Sequence, residues 1–271
     1  MTQGIDWNKM WMEGMKNASW RKRRGDMTEF WDRSAMRYNK SLKDIERPAW
    51  MISKLDIDPS FTVLDIGAGP GTLTIPLAKT VEHVTVVEPS GGMLTCLKEN
   101  AANCGLKNIT CINKKWEDVH RGEDLDEYDV VIASYSLSMM DMKAALSKMN
   151  GIARRCVHLF TFIGGRMWDY VELWPRLYGE EYQAGPDYIY LYNILYDMGI
   201  YANVEISNTK QRFSSLDEAV EQWKENLYQS TPEAEELIRS YLTAKLINED
   251  GTLWSENKIA SISWKNDNGN K

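Results

Sequence analysis

A glycine-rich loop that follows a short apolar run constrains the fold of this chain more than any other feature. The segment "VLDIGAGPGT" carries an apolar stretch to Asp65 and then turns through Gly67, Gly69 and Gly71 into a helical pattern. Glycine lets a backbone turn tightly and approach a bound ligand without a clash at Cβ. The segment therefore predicts a strand, a ligand-binding loop and a helix in that order.

The same alternation of apolar runs and helical patterns continues along the chain. The predicted strands lie at residues 61–67, 83–89, 108–113, 128–136, 156–164, 200–207 and 257–264. Short buried runs joined by helices indicate a parallel sheet covered on both faces, and the last two runs fit an antiparallel end. We predict an α/β fold with a doubly wound, seven-stranded, mostly parallel sheet.

Three regions follow from these patterns. We predict a helical N-terminal cap at residues 1–58, a Rossmann-like cofactor-binding core at 59–165, and a lid insertion with C-terminal helices and closing strands of the same sheet at 166–271. The stretch 164–192 is too long for a simple connection and is rich in Trp, Tyr and acidic residues. Aromatic residues outside the sheet must pack on something, so we expect cap and lid to cover an acceptor pocket. An aromatic, partly acidic lid would suit a flat or cationic small molecule.

Charges near the loop favour a cationic ligand over a dinucleotide. A dinucleotide loop has the spacing G-x-G-x-x-G and binds pyrophosphate, whereas Thr72 stands here at the third glycine and Asp65 would repel that anion. Glu88 ends the second strand roughly 20 residues later, where a carboxylate can accept hydrogen bonds from both ribose hydroxyls of an adenosine. S-adenosylmethionine joins an adenosine to an ammonium and a sulfonium and has no phosphate. It is the predicted cofactor.

The motif series resembles the class I S-adenosylmethionine-dependent methyltransferases. "VLDIGAGPGT", "VVEPSGGML", "NKKWEDV" and "YDVVIASYSLSMM" follow the order of that family and look most like its small-molecule (UbiE-like, type 11) branch. The resemblance implies that the glycine loop holds the methionine part of the cofactor, Glu88 the ribose, and Met93 the adenine. An aromatic residue before the core, Tyr38 or Trp31, would close over the methionine end. The predicted cofactor-binding residues are Tyr38, Asp65, Gly67, Ala68, Gly69, Gly71, Glu88, Pro89, Met93, Trp116, Glu117 and Ser134.

One position departs from the family pattern. Members of the family often carry an acid after the third strand that contacts the adenine amino group, and Lys115 stands there. Either Glu117 or Asp118 replaces that acid, or backbone groups around Trp116 hold the adenine.

The acceptor is expected at the end of the fourth strand. There "SYSLSMM" differs from the Asn/Asp-Pro-Pro-Tyr type of motif with which methyltransferases of nucleic-acid or protein amino groups orient a planar nitrogen. The predicted substrate residues are Trp31, Tyr135, Ser136 and Trp168. We predict in-line methyl transfer to a small molecule, accelerated mainly by positioning and desolvation. We name no catalytic base.

The histidines give no strong signal for catalysis or metal binding. His83 and His158 belong to strands and are interpreted as structural, while His120 follows the adenine-side loop and could reach the cleft. No His, Cys or acidic pair has the spacing of a metal site, so no metal is predicted.

Composition limits the partners. The formal net charge of -7 and the pI of about 5.2 argue against a broad phosphate-binding surface, so nucleic acid is not an expected partner. The basic run from Arg21 to Arg24 is either a solvated face or a site for an anionic ligand or partner. Four cysteines without a C-x-x-C pair are expected to be reduced core residues. With no signal peptide or membrane span in sight, we expect a soluble, cytoplasmic protein without a membrane partner.

Other functions remain open alternatives. The chain could methylate RNA or protein, with the basic run guiding the larger partner. It could instead be a non-catalytic subunit that binds the cofactor. A Rossmann-type dehydrogenase is disfavoured by Thr72 and Asp65.

Overall fold

The predicted sheet forms the centre of the molecule. The computed structural model describes residues 4–42, 47–163, 165–249 and 252–266, with the side chains of residues 47 and 165–168 left aside. Its strands are β1 (Thr62–Ile66), β2 (His83–Val87), β3 (Ile109–Ile112), β4 (Tyr128–Ser134), β5 (Ala153–Ile163), β6 (Asn203–Phe213), β7 (Ile247–Glu249) and β8 (Thr252–Lys265). They follow the order β3-β2-β1-β4-β5-β8-β6, with β7 paired to β8.

Strand directions confirm the predicted fold class. The first five strands run parallel, and β8 lies antiparallel between β5 and β6. A doubly wound sheet of this kind places the carboxyl ends of its parallel strands at one edge, where ligands bind.

The antiparallel end is longer than the sequence predicted. β6 and β8 pair from Asn203 opposite Ser263 to Phe213 opposite Leu253, so both strands extend beyond their apolar runs. Ile247 pairs with Trp254 and Glu249 with Thr252, which makes β7 a short third strand of this ribbon. The backbone pairing of the ribbon continues where the alternation of apolar side chains has ended.

Helices surround the sheet. They are α1 (Trp7–Asn17), α2 (Ser19–Arg24), α3 (Met27–Ser41), α4 (Arg47–Ser53), α5 (Thr74–Ala78), α6 (Gly91–Asn103), α7 (Met142–Ile152), α8 (Gly165–Tyr178), α9 (Tyr188–Asp197), α10 (Leu216–Asn226) and α11 (Pro232–Lys245). Side-chain caps begin several of them, as at Ser215 and Thr231, whose oxygens accept hydrogen bonds from the amides of Glu218 and Ala234. Within the described ranges, no helix combines the length and apolar character needed to cross a membrane.

Both faces of the sheet are buried. Leu64 and Leu159 pack on one face in a cluster that includes residues of α1, α7 and α9, while Val63 and Phe160 pack on the other face with α5 and α6. Because alternate residues of a strand point to opposite faces, burial on both sides explains the continuous apolar runs in the sequence.

The predicted lid contains a helix. α8 packs through Trp174 against Trp223 of α10 and Phe213 of β6, in a hydrophobic cluster distinct from those on the sheet faces. The three-region division by residue number stays a prediction.

One expectation about the cysteines is wrong. All four are free, and Cys96 and Cys156 are buried, but Cys104 is exposed. Cys104 is the C-cap residue that follows the last turn of α6.

Candidate functional site

A cavity of about 520 Å³ opens at the carboxyl ends of β1, β2, β4 and β5. The cap helices α2 and α3 line it from one side, and α8 with the connection to α9 lines it from another. It brings together most of the predicted site residues, namely Trp31, Tyr38, Asp65, Gly67, Ala68, Gly69, Glu88, Pro89, Met93, Trp116, Glu117, Ser134, Tyr135 and Ser136. Gly71 is not among the lining residues, and the side chain of Trp168 lies outside the described part of the chain.

The glycine loop is tightly constrained at Gly67. Its φ of +70° is a left-handed conformation, and an added Cβ would lie 2.3 Å from the Cβ of Ser136. Ser136 in turn donates a hydrogen bond to the carbonyl of Ile66 at 2.5 Å. Gly71 serves packing instead, because a Cβ there would meet Ile75 and Leu97. The loop therefore holds the end of β1 directly against the end of β4.

Asp65 is the most perturbed acid of the site. It is 1% exposed near the end of β1, and burial raises its pKa from 3.8 to about 7. A hydrogen bond of 2.6 Å from the hydroxyl of Thr74 lowers the pKa, while the nearby charge of Glu88 raises it. A buried carboxyl group with a raised pKa ionises most readily when a cation lies beside it.

Glu88 is held by backbone amides. Its Oε2 accepts from Gly69 and its Oε1 from Ser90, each at 2.9 Å. Burial raises its pKa, and the two amide hydrogen bonds lower it. The carboxylate is thereby fixed in place, with lone pairs left on both oxygens to accept further hydrogen bonds. Asp65 and Glu88 together are called the acidic wall below.

The cap is anchored to the core by Asp32, which the sequence analysis missed. Its Oδ1 accepts from the hydroxyl of Ser90 at 2.7 Å and from the amide of Gly92 at 2.9 Å. A Cβ on Gly92 would lie 3.0 Å from the carbonyl oxygen of Asp32, so the glycine permits this close approach of α3 to α6. The paired glycines at the start of α6 were the available signal. Trp31 and Tyr38 lie two turns apart on the same helix, with ring centroids 5.3 Å apart.

The segment after β3 forms a 3₁₀ turn at Trp116–Asp118. Trp116 is 3% exposed, and the ammonium of Lys148 donates to the carbonyls of Trp116 and Val119. Of the two acids proposed to replace the missing one, Glu117 lines the cavity and Asp118 does not. Lys115 also lines the cavity.

The positive charge of Lys115 is matched by an acid that also lines the cavity. Its ammonium lies 3.7 Å from Asp26, whose carboxylate caps α3 by accepting from the amides of Thr28 and Glu29. Those amides, with Lys115, hold the pKa of Asp26 below its usual value, although burial opposes them. The lysine thus connects the 3₁₀ turn to the cap.

Aromatic side chains form another part of the lining. The rings of Tyr135 and Phe162 lie 4.2 Å apart, and those of Tyr170 and Tyr182 stack at 5.2 Å. Tyr135 has a φ of +55°, which is uncommon for a residue with a side chain and is typical of functional sites. These four residues are called the aromatic wall below.

Two arginines of the basic run also reach the cavity. Arg21 and Arg24 line it, whereas Lys22 and Arg23 are exposed. The sequence analysis noted the run but named none of its members as site residues. The available signal was the spacing of three, which puts Arg21 and Arg24 on one face of a helix.

Among the described acids of residues 165–192, Asp187 lines the cavity and the others do not. Asp169 accepts from the hydroxyl of Tyr241 at 2.6 Å, and Glu172 pairs with Lys245 at 3.1 Å. Glu180 lies 3.7 Å from Arg23. These pairs leave little unmatched negative charge on this side of the cavity, and the charge of the acceptor stays a prediction.

The histidines take no part in the cavity. His120 is exposed and outside the lining, His83 hydrogen-bonds Thr110 at 3.0 Å, and His158 is buried in β5 with a pKa lowered to about 4 by burial. In the described ranges, no group of three or more His, Cys, Asp or Glu residues could hold a metal ion.

Comparisons with known proteins match the part of the chain that forms the first strands of the sheet. Residues 63–155 match the family model of a methyltransferase domain. An uncharacterized protein of Haemophilus influenzae is 28% identical over 244 residues, covering 88% of this chain and 89% of that protein. The 23S rRNA (uracil(1939)-C(5))-methyltransferase RlmD of Klebsiella pneumoniae is 39% identical over 64 residues, covering 24% of this chain and 15% of that enzyme.

Solved structures share the fold. A provisionally named methyltransferase of Bacillus halodurans C-125 superposes with a TM-score of 0.59, covering 81% of this chain and 98% of that chain at 12% identity. The YcgJ protein of Bacillus subtilis superposes with a TM-score of 0.55, covering 82% of this chain and 97% of that chain at 14% identity. At such identities the likeness is evidence for the fold alone.

Proposed function

Because residues 63–155 form a class I S-adenosylmethionine-dependent methyltransferase domain, we propose that this chain methylates a small molecule bound against the aromatic wall. The observation that carries the proposal is that the acidic wall, the aromatic wall and the glycine loop all line one cavity. Its volume of about 520 Å³ lies within the ordinary range of small-molecule sites.

The acidic wall fits the cofactor chemically. Asp65 is buried and poised to ionise beside a cation, which suits an ammonium or sulfonium group. Glu88 offers two fixed carboxylate oxygens to a pair of ribose hydroxyls. Gly67 and Gly69 allow close approach of the loop, and Met93 offers an apolar contact for the adenine. When bound, the cofactor supplies a methyl group on a positively charged sulfur.

The chain's own contribution is positioning and exclusion of water. The amide of Ser19 donates to the carbonyl of Gln183, and the hydroxyl of Ser19 accepts from the amide of Gln183, both at 2.9 Å. Trp20 packs on Gly185, where a Cβ would lie 3.0 Å from the indole nitrogen. These contacts join the cap to the segment between α8 and α9, so the two cover the cavity together. Desolvation and orientation of this kind accelerate a displacement without a protein base.

The basic run does not offer a continuous surface for RNA. Arg21 and Arg24 line the cavity, and Arg23 lies beside Glu180. Among the described residues of the run, Lys22 is then the one that is exposed to solvent without an acidic neighbour. A small acceptor is therefore favoured over a nucleic acid.

Calorimetric titration tests the proposal. We expect S-adenosylmethionine and S-adenosylhomocysteine to bind the wild-type protein and NAD not to bind. Glu88→Ala removes a carboxylate that would hold the ribose, so the affinity for both should fall by about 100-fold, as for two lost charge-assisted hydrogen bonds. Gly69→Arg should abolish binding, because the new side chain would enter the cavity. Glu82→Ala, an exposed position before the same strand, is the matched control and should leave binding unchanged.

Four results would contradict the proposal. NAD could bind in place of S-adenosylmethionine, or neither could bind. Binding with no transfer of the radiolabelled methyl group to any compound of a diverse small-molecule panel would point to a non-catalytic subunit. Transfer to RNA with a steep dependence on salt would identify a nucleic-acid acceptor instead.

A further inference from the structure

The positive charge on the cavity side of α2 is unusual in a protein of this acidity. Arg21 and Arg24 lie one helical turn apart and are both half-buried against the cavity. In the described part of the chain neither guanidinium forms an ion pair with a carboxylate. Half-buried charges of this kind are costly unless a partner matches them.

Arg24 is held in place by aromatic rings. Its guanidinium carbon lies 4.8 Å from the ring centroid of Phe30, 5.3 Å from that of Trp20 and 5.5 Å from that of Trp31. Its Nε donates to the hydroxyl of Tyr228. Cation–π contacts attract the charge to the ring faces, and they fix the plane of the guanidinium without neutralising it.

Arg21 is fixed by the backbone. Its Nη1 donates to the carbonyl of Ser138 at 3.1 Å, in the loop after β4. The indole of Trp11 donates to the neighbouring carbonyl of Met139 at 2.9 Å. The N-terminal helices are therefore attached to the same loop that carries Tyr135, so Arg21 is tied to the segment that forms the aromatic wall.

Arg24 also lies close to the aromatic wall on its other side. Its positive charge lowers the pKa of Tyr182, against the larger effect of burial, which raises it. Tyr182 stacks on Tyr170, and both line the cavity with Arg24. A ligand that contacts these rings would therefore be within reach of the guanidinium.

Other acids of the cavity do not supply the missing partner. Asp26 is occupied by Lys115 and by capping α3, and Asp187 caps α9 by accepting from the amide of Ile189 at 3.1 Å. Asp65 and Glu88 form the acidic wall. The protein's own carboxylates in the cavity thus already have other roles, and a partner for the arginines must come from a bound ligand.

We propose that the acceptor is a flat, conjugated carboxylic acid, with its ring system against the aromatic wall and its carboxylate on Arg24. Stacked tyrosines favour planar ligands, and a planar guanidinium matches a carboxylate with two parallel hydrogen bonds. Arg21 adds a second positive charge on the same side. The inference rests on the proposed function, because it names the class of acceptor for that reaction.

Two matched probes test the inference on protein saturated with S-adenosylhomocysteine. 2-Naphthoate and its uncharged amide, 2-naphthamide, have the same ring system and nearly the same size. We expect calorimetry to give an affinity for the acid at least about tenfold higher than for the amide, as for a charge-assisted hydrogen-bonded pair. Arg24→Met keeps a long apolar side chain among the rings and should abolish this preference. Arg24→Lys keeps the charge without the planar fork and should retain part of it.

Lys22→Met is the matched control. It removes one positive charge from the same helix at an exposed position and should keep the full preference for the acid. Urea unfolding shows that each variant is folded. If folded Arg24→Met loses affinity for S-adenosylhomocysteine itself, Arg24 binds the carboxylate of the cofactor and the inference is overturned. If S-adenosylhomocysteine fails to bind the wild type, the proposed function fails. If it binds but the wild type does not prefer 2-naphthoate, or Arg24→Met keeps the preference, only the present inference is overturned.

Discussion

The two walls of the cavity are built in different ways. The acidic wall comes from one stretch of chain, since Asp65 and Glu88 end neighbouring parallel strands and the glycine loop lies between them. The aromatic wall draws Tyr135 and Phe162 from β4 and β5 and Tyr170 and Tyr182 from the region after the core. The first is buried and held by backbone amides, and the second is held by side chains from segments far apart in sequence.

This difference suggests how the site divides its work. Backbone hydrogen bonds and a steric fit at Gly67 make the acidic wall rigid, which suits a cofactor that does not vary. Side-chain stacking leaves the aromatic wall free to change without disturbing the sheet. Substitutions in the two walls should therefore differ in their effects on stability.

The largest effect is expected from Gly67→Ala. The new Cβ would overlap with the Cβ of Ser136 at 2.3 Å, and the φ of +70° is itself unfavourable for alanine. Gly105→Ala is the matched control, because Gly105 has a φ of +67° with no atom within 4 Å of an added Cβ. We expect Gly105→Ala to lower the free energy of unfolding by about 1 kcal/mol and Gly67→Ala by about 2–3 kcal/mol more, measured by urea denaturation.

The double variant Gly67→Ala/Ser136→Gly tests the cause. Removal of the Ser136 side chain should recover most of the excess loss over Gly105→Ala, because it removes the overlapping atom. If the double variant is no more stable than Gly67→Ala alone, the loop is not constrained by its contact with the end of β4.

The next largest effect is a difference between the two walls in how ligand affinity depends on pH. Asp65 has a pKa of about 7 in the free protein, so it is mostly protonated at about pH 6 and mostly ionised at about pH 8. The affinity for S-adenosylmethionine should rise by about tenfold across this range. Asp65→Asn should bind weakly with a flat profile. Arginine does not titrate here, so the preference of the aromatic side for 2-naphthoate should stay constant.

In the free protein, the contribution of Asp65 to the free energy of unfolding should fall as the pH rises. Because folding raises the pKa of Asp65 above its ordinary value of 3.8, the folded state binds a proton more readily than the unfolded chain. Its contribution to the free energy of unfolding is then present at low pH and is lost as the pH rises through about 7. Thermal unfolding at about pH 4 and about pH 7 measures this loss as a difference: between these values the wild type should lose stability relative to Asp65→Asn, in which the other titrating groups are unchanged.

The smallest effect concerns the link between the cap and the core. Asp32→Ala removes the hydrogen bonds to Ser90 and Gly92 and should cost about 1 kcal/mol in urea unfolding, as for other lost helix caps. Arg33→Ala breaks only an exposed pair with Glu29 and should cost less than about 0.5 kcal/mol. Equal costs for the two variants would mean that α3 is not anchored through Asp32.

The difference between the two walls also explains which parts of the site could be predicted from the sequence. The sheet, the glycine loop, Asp65 and Glu88 were predictable, because a few consecutive residues carry the strand, the turn and the charge together. The family model confirms a methyltransferase domain at residues 63–155, and the solved structures confirm the predicted fold. Assignment of the individual cofactor-binding residues remains a prediction.

The aromatic side could not be predicted in this way. Arg24 belongs to a run that is typical of a solvated face by sequence, and only the folded chain brings its guanidinium to Tyr228, 204 residues later. Likewise, the lid acids look available until Lys245 and Tyr241, about 70 residues later, are seen to pair with them. Such contacts depend on tertiary packing between distant segments, which local patterns do not encode.

A crystal structure of the protein with S-adenosylhomocysteine and 2-naphthoate tests the central claim most directly. We expect both ribose hydroxyls to hydrogen-bond Glu88 and the naphthoate ring to lie on the aromatic wall, with its carboxylate on Arg24. S-adenosylhomocysteine bound away from Glu88, or a cavity that has no room for a second molecule beside it, would contradict the account.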